Sequence, residues 1–85
     1  MDEEPVEIPV TDTLDLHSIP PRDIKPLVEE YLELCAARKF RFVRIIHGKG
    51  TGFQRQEIHK VLEKSLHVEA FEDGPDWGST AVKLK

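Results

Sequence analysis

The apolar residues of this 85-residue chain change their spacing as the sequence advances, and that change limits the fold more than any other feature. Leu14 and Leu16 alternate with Asp15 and His17, the two-residue period of a strand over Thr13–His17. Pro20 and Pro21 end it. Ile24, Leu27, Val28, Tyr31, Leu34 and Cys35 then recur at helical spacing, with Glu29, Glu30 and Glu33 on the wet side. Asp23 is the expected N-cap of this helix, which puts Pro26 in its first turn. Arg41–Ile46 returns to strand character, and its apolar tail predicts a central strand covered on both faces. A second helix is expected from Thr51, where Thr51 and Gln54 have capping-box spacing, with Ile58, Val61, Leu62 and Leu66 as its buried stripe. Val68–Glu72 and Ser79–Leu84 read as two closing strands around the turn residues 73–78. Thr80, Val82 and Leu84 share one face of the last strand.

The resulting order, βαβαββ, predicts a two-layer α/β sandwich. Two crossovers make the first three strands parallel, and the short final connection makes the fourth antiparallel, giving a mostly parallel sheet. Residues 1–7 read as a flexible acidic tail and 8–85 as one domain. Val6, Ile8 and Val10 alternate, consistent with a short edge strand.

A core this small gains little stability to spare. The single cysteine, Cys35, forms no internal disulfide and lies on the apolar stripe of the first helix, which marks it as core. The four histidines have no zinc-ligand spacing with it, and no metal site is expected from them. The N-terminus is acidic rather than apolar, and no stretch approaches the ~20 apolar residues of a membrane span. No membrane partner is expected, and the cytoplasm is the expected location.

The net charge of −4 conceals an uneven distribution. Residues 38–64 hold eight basic and two acidic side chains, whereas the rest of the chain holds four basic and fourteen acidic ones. Such a block either forms a basic patch for a polyanion or simply solvates a surface.

In open sheets with parallel strands, ligands gather at the carboxyl ends of the strands. Asp15 and His17 finish the first strand, and His47 finishes the second. The loop His47-Gly48-Lys49-Gly50-Thr51-Gly52 follows, opening a helix whose positive end faces the same edge. Lys49 adds a mobile charge, and Arg55 lies about one turn into the helix. Together these suit a phosphate, although a tight strand-to-helix turn explains the glycines equally well. The loop matches neither a Walker A motif nor a dinucleotide fingerprint. Arg44 either reaches the phosphate path or shields a sheet face. Trp77 either stacks on a base or anchors the last turn. His59 and His67 fall off this edge and read as surface.

Leu14-Asp15-Leu16-His17 and His47-Gly48-Lys49-Gly50-Thr51-Gly52 resemble the LDLH and HGxGxG motifs of the Smr (small MutS-related) domain. Trp77–Val82 is similar to that family's closing stretch. Ser18 and Ser79 depart from its usual glycine and alanine. The resemblance implies a fold like the C-terminal domain of a bacterial translation initiation factor. It also implies endonuclease or nicking activity on RNA or branched DNA, with the ribosome as a further partner for some members. The important positions map to Asp15, His17, His47, Gly48, Lys49 and Gly50.

The expected chemistry is phosphodiester cleavage, either hydrolysis or transfer to a 2′-hydroxyl. Asp15, His17 and His47 are the expected catalytic residues. Gly48, Lys49, Gly50, Gly52, Arg44 and Arg55 are the expected phosphate ligands. No cofactor is expected if the substrate is RNA, whose own 2′-hydroxyl attacks. A divalent metal at Asp15 enters if it is DNA. The alternative is a binding module, without catalysis, for nucleic acid or the ribosome. The sequence does not fix the oligomeric state.

Overall fold

The computed structural model describes residues 12–48, 52–75 and 78–85. The tail, the proposed strand at Val6–Val10, the loop residues Lys49, Gly50 and Thr51, and Trp77 lie outside the described residues. The elements are β1 (Thr13–Asp15), α1 (Pro21–Ala37), β2 (Phe42–Ile46), α2 (Phe53–Lys64), β3 (Val68–Asp73) and β4 (Ser79–Leu84). This is the expected βαβαββ order and the expected small α/β domain.

The four strands lie in the order β1-β2-β4-β3. β1 pairs parallel with β2, while β4 pairs antiparallel with both β2 and β3. The first three strands therefore run the same way and the fourth opposes them, as the connections predict. The sheet is mixed rather than mostly parallel by pairing, because β4 inserts between β2 and β3. The short β3–β4 connection forces those two strands together, and the free edge of β4 then completes its ladder on β2.

Both helices cover one face. Val43 and Ile45 of β2 and Val82 and Leu84 of β4 meet Ile24, Val28, Leu32 and Cys35 of α1 and Ile58 and Leu62 of α2. Burying each such side chain stabilises the fold by about 1.5–3 kcal/mol. Phe42 and Arg44 alternate outward, and Phe42 is 65% exposed. Among the described residues the second strand is thus covered on one face, not two, because both helices pack on the side of Val43 and Ile45. Leu34 and Leu66 are exposed, contrary to the predicted stripes. Leu32 takes the core position that Leu34 was expected to hold, and Leu66 falls after the end of α2. Cys35 is fully buried, and burial raises the pKa of its thiol, so it behaves as core. No helix among the described residues is long and apolar enough to cross a membrane.

The helix ends also differ from expectation. α1 begins at Pro21 with Pro20 as N-cap, two residues before the predicted Asp23 cap. Proline suits the first helical position because its φ is preset and its missing N–H has no partner to lose there. Pro26 consequently falls in the second turn, on the exposed side. At the other end, Phe40 N–H donates to Cys35 O and Lys39 N–H to Ala36 O, both at 3.0 Å. This is a Schellman closure with Lys39 in the left-handed conformation at φ 63°. α2 starts at Phe53, and its N-cap is Gly52 at φ 87° rather than Thr51.

Candidate functional site

The parallel pairing of β1 and β2 sets their carboxyl ends side by side, with Asp15 level with Ile46. Leu16 N–H extends the ladder to Ile46 O at 2.7 Å. Strand alternation sends Leu14 and Leu16 toward the helices and Asp15 to the open side. There Oδ1 of Asp15 lies 2.5 Å from Nδ1 of His17 and also accepts the His17 backbone N–H at 3.1 Å. Both side chains are more than half exposed. The hydrogen bonds from His17 hold the Asp15 carboxyl below its ordinary pKa, so Asp15 is ionised at neutral pH. An ionised Asp15 fixes the hydrogen of His17 on Nδ1 and leaves Nε2 available to exchange a proton.

Gly48 stands beside this pair. It is in the left-handed conformation at φ 84°, and a side chain there would begin 3.7 Å from the Cβ of His17. The N–H groups of His47 and Gly48 both point to Gly78 O at 3.0 Å. The Gly48 N–H is therefore spent on holding the turn and is not offered to an anion. Gly48 also lines a cavity of ≈ 300 Å³ at the start of α2, together with His47, Gly52, Gln54 and Arg55.

His47 is not part of the exposed cluster. It follows Val43 and Ile45 on the inward face and is buried. Its Nδ1 lies 3.0 Å from Gly48 O and its Nε2 lies 3.0 Å from Thr80 Oγ1. The same hydroxyl lies 2.9 Å from Nε2 of His59. The carbonyl can only accept, so Nδ1 of His47 donates. Thr80 then donates to His47 Nε2 and accepts from His59 Nε2–H. Behind this chain, Arg55 clasps Asp73 through two hydrogen bonds of 2.7 Å. Arg55 holds the Asp73 carboxyl below its ordinary pKa, and burial pushes the His59 imidazole down.

Of the predicted site residues, the structure brings Asp15, His17 and Gly48 together. His47 lies behind them, Arg55 is committed to Asp73, and Arg44 stands one row away on the open sheet face, donating to Ser79 Oγ at 3.3 Å. Lys49 and Gly50 lie outside the described residues. His59 is not the surface residue expected; it sits inside the network with Thr80. Its place at i+4 from Arg55 on α2 was the available signal. Among the described residues no group of three or more His, Cys, Asp or Glu gathers as a metal site.

A small α/β domain with an acid–histidine pair at one strand end and a glycine turn at the next is the class that fold and site define. The chain belongs to the Smr domain family, whose sequence profile it matches over residues 14–85. It is 42% identical over 62 residues to endonuclease MutS2 of Caldicellulosiruptor bescii, a match covering 68% of this chain and 8% of that protein. It is 32% identical over 81 residues to endonuclease MutS2 of Clostridium botulinum, covering 89% of this chain and 10% of the relative. The chain thus spans about a tenth or less of these relatives. The crystal structure of the Smr domain of Thermus thermophilus MutS2 superposes with a TM-score of 0.83 at 33% identity, covering 88% of this chain and 99% of that one. YdaL, a stand-alone small MutS-related protein from Escherichia coli, shares the fold with a TM-score of 0.82 at 24% identity, covering 87% of this chain and 64% of its own.

Proposed function

We propose that this domain cleaves phosphodiester bonds in nucleic acid, with Asp15 and His17 as the proton-transfer pair. The observation that carries the reading is the exposed 2.5 Å contact between them, beside the Gly48 turn. Asp15 orients the imidazole, and Nε2 of His17 accepts a proton from the attacking hydroxyl. In RNA that hydroxyl is the neighbouring 2′-OH; the bond from phosphorus to O5′ breaks, the departing oxygen takes a proton from solvent water, and the products are a cyclic phosphate and a 5′-hydroxyl. In DNA a water attacks, and Asp15 becomes the ligand of a divalent metal if one takes part. The charge of Lys49 and the first turn of α2, behind Gly52, stabilise the phosphorane-like transition state. His47 is a positioning residue in this reading: its buried ring holds the Gly48 carbonyl. Support comes from the relatives, which are named endonucleases.

The burial of His47 gives the second reading its footing. With one exposed imidazole instead of two, a binding module without catalysis fits the same surface. Labelled single-stranded RNA, duplex DNA and branched DNA incubated with wild type and His17→Ala, with and without chelator, separate the two. Product from wild type that His17→Ala fails to make supports cleavage, and a cyclic phosphate end marks the 2′-hydroxyl route. Affinity without product from wild type supports the binding module.

A further inference from the structure

The open face of the sheet carries a trough that the cleavage chemistry does not use. Phe42 and Arg44 of β2, Ala70 of β3, Ala81 and Lys83 of β4 and Thr13 of β1 line a hollow of ≈ 450 Å³ spanning all four strands. The small side chains at positions 70 and 81 make its floor low, and Phe42 stands over it 65% exposed. The strand register orders these residues in rows. Phe42 lies opposite Lys83, which lies opposite Ala70. Thr13, Arg44, Ala81 and Glu72 form the next row, and Asp15 and Ile46 the one after. Two rows are about 13 Å along the strands, roughly the reach of two extended nucleotides.

The geometry points to this trough as a track for single-stranded nucleic acid, with a base stacked on Phe42 and a phosphate against Arg44, leading to Asp15 and His17. The inference takes its direction from the cleavage reading, since the track ends at the proposed proton-transfer pair. An aromatic ring standing on an open sheet accepts the face of an unpaired base, whereas duplex bases have both faces covered. Arg44 pairs with no carboxylate among the described residues, so its charge suits a phosphate. Lys83 lies 3.5 Å from Glu69, and Glu72 and Asp12 border the trough. Two basic side chains against three acidic ones leave the face slightly acidic. Stacking rather than charge carries the binding, and the salt dependence is shallow.

The test is the affinity of the full chain for labelled ten-nucleotide oligouridine and oligothymidine, and for a duplex of equal length, by fluorescence anisotropy. Wild type is expected to prefer the single strands. Phe42→Ala should weaken that binding about 10-fold or more, the scale of one base on one ring, and Phe42→Trp should retain it. Because Phe42 is exposed, the circular dichroism of both variants should match wild type. Equal single-strand affinity of wild type and Phe42→Ala overturns the track, as does a preference for duplex. A dimer in sedimentation that Phe42→Ala dissociates would assign the face to a second copy instead. Absence of cleavage by wild type sinks the catalytic role of His17 and leaves the binding result to stand by itself.

Discussion

Nε2 of His47 lies 3.0 Å from the hydroxyl of Thr80, so the last strand of the sheet holds the residue that shapes the glycine turn. The same hydroxyl reaches His59 on α2 at 2.9 Å. One oxygen on β4 thus ties together β2, α2 and the start of the loop. Both imidazoles depend on it, and Thr80 is fully buried.

Thr80→Val keeps the shape and removes the hydroxyl, leaving Nε2 of both histidines without this partner. The expected loss of stability is about 1–3 kcal/mol, the usual cost of stranding buried polar groups. Urea denaturation measures it. Thr80→Ser, which restores the hydroxyl, should recover most of the loss.

Burial, with help from the Arg55 charge, holds the His59 imidazole below its ordinary pKa in the folded protein. In the unfolded chain it titrates near its usual value of about 6.5. As the pH falls through that region, the unfolded state takes up a proton that the folded state refuses, and stability declines. The urea midpoint of wild type should therefore fall between pH 7.5 and 5.5, and that of His59→Gln should fall less. Asp73, held low by Arg55, adds nothing in this window. Its contribution is lost only as the pH drops below the ordinary carboxylate range.

Two backbone positions predict opposite signs. Lys39 closes α1 at φ 63°, a conformation that costs a side-chain residue about 1 kcal/mol, so Lys39→Gly should stabilise the protein by up to about that amount. Gly52 caps α2 at φ 87° with no atom near a built side chain. Gly52→Ala should destabilise by about 1–2 kcal/mol through conformation alone. Thermal denaturation of the two variants checks both signs.

Much of this arrangement was legible in the sequence. Alternation turned Asp15 to the open side, but β1 ends at Asp15, and the turn closed by the His17 N–H on Asp15 Oδ1, rather than strand alternation, brings His17 beside it. The βα order placed the glycine turn next to them. The same alternation put His47 on the face of Val43 and Ile45, so its burial was also written there, beneath the attraction of a histidine in a loop motif. The outward turn of Phe42 and Arg44 follows the same rule. What alternation does not encode is which strand accepts the free edge of β4, since a hairpin fixes only one neighbour. Nor does it encode the rotation of α2 that carries His59 to Thr80, because that depends on how the helix packs across the sheet.

Asp15→Asn removes the ionised acceptor that fixes the hydrogen on Nδ1 of His17. Cleavage should fall about 10²- to 10⁴-fold, the range in which a positioned acid–base group operates. Because Asp15 is exposed, the urea midpoint should stay close to that of wild type. Parallel rate and denaturation measurements separate the chemical effect from a structural one.

The most direct measurement is single-turnover cleavage of a labelled single-stranded RNA by wild type and His17→Ala, with the domain in excess over its dissociation constant. Product is expected from wild type, with a loss of at least about 10²-fold in His17→Ala under saturating protein. Equal rates from the two proteins would contradict the assignment of proton transfer to His17.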